Sequence, residues 1–205
     1  MGHTMTRGID ELLASTSLTP VLAARRAGRS TREFADLLTS ADLLALGALA
    51  DVVRAEEVGS EVRITLRPDL ENEAAEGAVR VHPRDVEPSA RGLAFLRDVA
   101  VARLTAPKGA RVVVDWTEIG LELAEVALSF GASALSGPIV SKRGLPIAED
   151  KTKKVKGQGM VSVASLKQKE LAEIIRRTGR TPVWVDAPAV EPPSRSTANE
   201  EEVSA

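Results

Sequence analysis

The chain has 205 residues, with 27 basic and 29 acidic side chains giving a formal charge of −2, and it contains no cysteine. That length carries one domain with a full core, and the near-neutral charge sets up no global field toward nucleic acid or an anionic membrane. Without thiolates there can be no disulfide framework, no zinc–thiolate site, no nucleophilic cysteine and no cysteine-held iron–sulfur cluster.

The first punctuation is "GRSTREFADLL", where Ser30 is placed to cap a helix and Glu33 follows three residues later, as a reciprocal capping box requires. Phe34, Leu37 and Leu38 then share a face. A second helix start is expected at Thr39 or Ser40, opening "TSADLLALGALADVVR". Its apolar stripe, Leu43, Leu46, Ala50 and Val53 widened by Leu44, Ala48 and Val52, is broad enough for a helix covered on more than one side. From Glu61 the pattern turns to strict alternation, Val62, Ile64 and Leu66 against Glu61, Arg63 and Thr65, which is the period of a strand.

After the acidic, aperiodic "DLENEAAEG", a short strand in "AVRVHP" ends at Pro83. Ser89 is expected to cap a helix carrying Leu93, Leu96, Val99, Ala100 and Leu104, and the β-branched run "ARVVVDW" reads as a strand covered on both faces. The next helix places Ile119, Leu123, Val126, Ala127 and Phe130 on one face and stops at Gly131. "ALSGPIV" follows as a strand. A polar connection with Lys151, Lys153, Lys154 and Lys156 leads to a capping box at Ser165 and Gln168 and to a helix whose inner face is Leu171, Ile174 and Ile175. "TPVWV" is the last strand.

Strands alternating with helices predict an α/β fold: either a partial, incomplete TIM-type barrel or an open, mostly parallel sheet of about five strands with flanking helices. The strands are expected at 61–66, 79–82, 111–115, 134–140 and 182–185. A closed (β/α) barrel takes eight strands over roughly 200–250 residues, so closure within this chain is not expected. Residues 1–29 read as a partly flexible N-terminal segment, 30–186 as a single α/β domain, and 187–205, rich in proline and ending near "NEEE", as a disordered tail.

Several segments carry a resemblance. "SADLLALGALADVV", then "VHPRD" with "LRDVAVARL", then "WTEIGLELAEVALSFGASALSGPI" and "IIRRTGRTPVWVD" resemble, in the same order, the start and the closing third of one family. That family is the radical S-adenosylmethionine (SAM) enzymes of the futalosine route to menaquinone, the aminofutalosine synthase and dehypoxanthine futalosine cyclase group. The strongest block is residues 116–137. The resemblance implies a barrel whose first strand leads into three closely spaced cysteines holding a [4Fe–4S] cluster; here "RPDLENEAAEG" passes almost directly to "VRVHP", and the catalytic middle is missing. A truncated relative without the cluster is therefore expected. No side chain here replaces three thiolates, and no radical chemistry is expected of the chain alone.

Three strand ends are candidate binding sites, since parallel α/β folds place ligands there. His82, Arg84 and Asp85 in "VHPRD" offer an acid–base group, a cation and a carboxylate; the alternative is a polar turn with a locally bonded histidine. Trp116 and Glu118 in "DWTEIG" offer a stacking surface and an acceptor; the alternative is a structural tryptophan at the sheet end. Ser136 lies in "GASALSGP", where the family commonly shows acidic residues.

With only two histidines, no metal site of histidine type is expected, and no catalytic residue and no cofactor are assigned. The Lys-rich loop at 151–159 matches no phosphate-loop spacing and reads as a solvated loop. With 2% aromatics the chain lacks the stacking surfaces of nucleic-acid binders. With no membrane-length apolar run and no secretory signal pattern read in it, a cytoplasmic location is expected.

The expected role is a non-catalytic binding or assembly protein. It would work as a homo-oligomer or in a hetero-complex with another protein, such as a full-length radical SAM relative. The alternative is a non-radical enzyme or small-molecule sensor that keeps a nucleoside-type pocket in menaquinone metabolism.

Overall fold

The structure is a computed structural model and describes residues 11–65, 77–137 and 168–185. Five parallel strands form one open sheet in the order β2-β3-β4-β1-β5, where β1 is Glu61–Thr65, β2 Val79–Val81, β3 Val112–Asp115, β4 Ala134–Ser136 and β5 Thr181–Trp184. The helices with both bounds among the described residues are α1 Thr19–Arg26, α2 Ala35–Ser40, α3 Leu43–Val58, α4 Pro88–Thr105, the single turn α5 Trp116–Ile119, α6 Leu121–Leu128 and α7 Gln168–Arg177. The α/β class with an open parallel sheet is as the sequence predicts, and the sheet does not close into a barrel. The strands lie within a residue of expectation at their described ends; Leu66 and residues 138–140 fall outside the described residues, as do Ser165, the 151–159 loop and residues 187–205.

The order has a simple cyclic sense. Strands β2, β3 and β4 follow one another, and β1 lies beyond β4, as the first strand of a barrel lies beyond its last. β5 then takes the far side of β1. The crossovers from β2 through β5 all step in the same direction, and right-handed crossovers therefore lay α4, α6 and α7 on one face. Side chains agree: Val81, Val114, Leu135 and Ile64 form one lateral row and are at most 7% exposed. The opposite face carries the polar groups, with Arg63 and Arg80 in one row and Thr65, Ser136 and Asp115 in the next.

Helix α3 explains the apolar stretch. It runs along α4, and its Ala45, Leu46, Leu49, Ala50 and Val53 are buried in the common core. Gly47 lets the helix close onto the Phe130 ring, where an added Cβ would stand 2.6 Å from Cε1. The width of the apolar run overstates coverage, however, since Leu44 is 73% exposed.

Helix starts differ from expectation. α3 is capped by Asp42, which accepts from the Ala45 N–H at 2.9 Å, while Thr39 and Ser40 belong to α2 and turn their hydroxyls back to carbonyls of Ala35 and Asp36. Among the described residues Ser30 accepts only from the Arg32 N–H, and a 3₁₀ turn at Arg32–Phe34 replaces the expected box. α4 starts earlier than Ser89 because Pro88 occupies its first turn, a position that needs no N–H. The helix expected after Trp116 is split by Gly120 at φ 85, which rotates α6 and leaves Val126 45% exposed. Ahead of Ser30, residues 11–15 and α1 are helical, and Leu13, Leu18, Val21 and Leu22 are buried, so the packed unit extends N-terminal of residue 30.

Candidate functional site

The polar face is richest at the carboxyl ends of the strands. β2 stops where Pro83 removes a ladder donor, β3 ends at Asp115 and β4 at Ser136. The parallel register sets Asp115 beside Ser136 and Arg80 beside Val113. Arg80 Nη1 donates to Ser136 Oγ at 2.8 Å and lies 3.3 Å from Asp115 Oδ2. The second Asp115 oxygen accepts from the Thr117 N–H and hydroxyl at 2.8 and 2.6 Å, which caps the α5 turn. Arg80 and Asp115 are little exposed and Ser136 is buried, so this charge-assisted cluster ties three strand ends together at low solvent screening.

Just outside it, His82 Nδ1 stands 3.1 Å from both carboxylate oxygens of Glu118. The histidine side chain is 61% exposed, which leaves its ring open to solvent as an acid–base or hydrogen-bonding group. Of the sequence candidates, His82 and Glu118 are thus brought together, and Ser136 lies in the neighbouring cluster. The others diverge. Arg84 turns away to pair with Asp98 of α4 at 2.6 Å, and Asp85 is exposed on the turn beyond it.

Trp116 is fully buried. A Cβ on Gly137 would lie 2.4 Å from its indole, so the ring seals the end of β4 and presents no stacking face to solvent. Its Nε1 has no hydrogen-bond partner among the described residues.

Sequence reasoning missed Arg80 and Asp115. The signal was present in "AVRVHP", where a lone arginine alternates with two valines, but only register shows that Asp115 and Ser136 share its face. Among the described residues, no group of three histidine, aspartate or glutamate side chains could hold a metal ion, and no helix is long and apolar enough to cross a membrane.

No family model matches the chain. Over 96 residues it is 33% identical to the aminodeoxyfutalosine synthase of Thermus thermophilus, a stretch that makes up 47% of this chain and 23% of that protein. The chain spans under a quarter of that relative's length, and the similarity supports a distant relation to a futalosine-pathway enzyme.

Proposed function

We propose that the chain is a non-catalytic relative of the futalosine-pathway enzymes that works in binding or assembly. The observation that carries this reading is a barrel-like strand order that stays open in a chain with no cysteine at all. The [4Fe–4S] cluster implied by the resemblance does not fit: carboxylates, hydroxyls and two histidines are the wrong donor set for iron that must be held by three thiolates. No radical step is assigned to these residues.

An open parallel sheet has two edges, and edges invite pairing unless they are blunted. β5 is blunted: Thr181 and Val185 donate to β1 and the residue before it, so the intervening Pro182 sets its ring on the outer side, where it offers no N–H. Association by strand addition would then use the β2 side, either with a second copy of this chain or with a relative that holds a whole barrel. Light scattering on the purified chain, from low micromolar to submillimolar, tests this. A mass of at least two chains supports self-assembly; a monomer throughout that also fails to bind a full-length futalosine-pathway enzyme contradicts the reading.

One observation favours a second reading, a small-molecule sensor. The exposed His82–Glu118 pair stands beside the Arg80–Asp115–Ser136 cluster at the carboxyl-terminal edge of the sheet, where parallel α/β folds take their ligands. A ligand that binds only the folded state raises its melting temperature. Futalosine-type nucleosides that raise it in the wild type and not in His82→Ala would support the sensor; no shift at millimolar ligand would reject it.

A further inference from the structure

At the opposite, amino-terminal end of the sheet lies a second concave site. The loop after α1, from Gly28 to Arg32, faces the loop from Thr105 to Lys108 that leads from α4 into β3, and between them is a cleft of about 270 Å³. Both loops are pinned from below. The buried Thr31 hydroxyl donates to the Leu104 carbonyl at 2.6 Å, and Arg25 donates to the carbonyls of Ala106 and Pro107 at 2.5 and 3.3 Å while paired to Glu57 at 2.7 Å. The Thr31 bond occupies a carbonyl in the last turn of α4 and the Arg25 bonds occupy two carbonyls just past its end, which sets a cation against the negative end of the helix dipole.

The rim is cationic. Arg29, Arg32 and Lys108 line the cleft, no carboxylate is among its lining residues, and none of the three makes a side-chain hydrogen bond or ion pair among the described residues. Glu57 is engaged below, on Arg25 and the Gly109 N–H. In a chain of net charge −2, three uncompensated cations on two fixed loops are a local feature and not a reflection of composition. The exposed Ser30 hydroxyl adds a further donor.

We propose that this cleft binds a small phosphorylated molecule through a phosphate or diphosphate group. Arg29 and Arg32 supply planar forks suited to phosphate oxygens, and Lys108 supplies a point charge from the facing loop. The cleft is small enough to select a compact polyanion over a large aromatic ligand, and no aromatic side chain lines it. The site is independent of the strand-end cluster, because it lies at the other end of the sheet.

Isothermal titration calorimetry with inorganic pyrophosphate at low ionic strength tests the site. The expected result is a saturable one-to-one isotherm with Kd below about 1 mM that weakens as salt is added. In the Arg29→Gln/Arg32→Gln/Lys108→Gln variant, affinity falls at least tenfold with an unchanged melting temperature, since all three side chains are exposed. Single variants, each expected to weaken binding severalfold, serve if the triple variant does not fold. Absence of saturable heat in the wild type, or wild-type affinity in the variants, overturns the proposal.

Discussion

At the residue scale, the fold depends on buried cations used as hydrogen-bond hubs. Arg103 is fully buried and donates to the carbonyls of Gly131 and Ala110 at 2.9 and 2.7 Å and to Ser133 Oγ at 2.8 Å, joining α4 to the entries of β3 and β4. Burial, with repulsion from Arg25, Arg54 and Arg111, lowers its guanidinium to about 10, against the attraction of Glu57, so it stays charged at neutral pH. An apolar replacement would leave two carbonyls without donors. Arg103→Met is therefore expected to cost about 3 kcal/mol in chemical denaturation, and Arg103→Lys somewhat less, because an ammonium still donates to part of the set although it cannot span all three acceptors. A loss under about 1 kcal/mol for Arg103→Met would contradict the hub role.

Glu57 supplies a pH-dependent counterpart. Burial raises its pKa, but hydrogen bonds from Arg25 and the Gly109 N–H and the charges of Arg25 and Arg103 outweigh this and hold it below the ordinary 4.5. A carboxyl lowered on folding adds stability above its unfolded value and loses it as pH falls through the folded value. Glu57→Gln should thus be clearly less stable than wild type at neutral pH, with Arg25 left buried and unpaired, and the gap should narrow below pH 4.5. Parallel stability curves through that range would show that the carboxylate does not carry the effect.

At the element scale, the contact between α3 and the Phe130 ring sets how closely helix and sheet layer approach. Gly47→Ala gains about 1 kcal/mol of helix propensity but drives a Cβ to 2.6 Å from Phe130, an overlap of a kind that costs about 1–3 kcal/mol. A net loss of about 1 kcal/mol is expected in wild type, turning to a gain in a Phe130→Leu background, as a double-mutant cycle would read. Additivity of the two substitutions would remove the packing explanation.

The elements themselves were legible because β-branched runs and alternation mark strands locally. Their boundaries were less so: Ser30, Thr39 and Ser89 each look like caps, but Asp42 and Pro88 win the competition, and Gly120 breaks a helix whose periodicity runs straight through it. The contribution of α1 was visible as Leu18, Val21 and Leu22 at helical spacing and as Pro20 in its first turn, although no side chain caps the helix.

At the scale of the whole molecule, what the sequence hides is pairing. Parallel neighbours are far apart in the chain, so β1 beside β4 and β5 beyond β1 could not be read from local pattern, nor could the meeting of Arg80, Asp115 and Ser136 that depends on it. His82 and Glu118 were legible because His82 follows β2 directly and Glu118 lies in the single turn that follows β3. On the proposed reading, this chain keeps part of a barrel's sheet without the thiolates that would make it a radical enzyme. Anaerobic reconstitution with iron and sulfide, followed by incubation with S-adenosylmethionine and a strong reductant, tests this most directly. No cluster absorbance and no 5′-deoxyadenosine are expected; reductive cleavage of the sulfonium by the purified chain would contradict that reading.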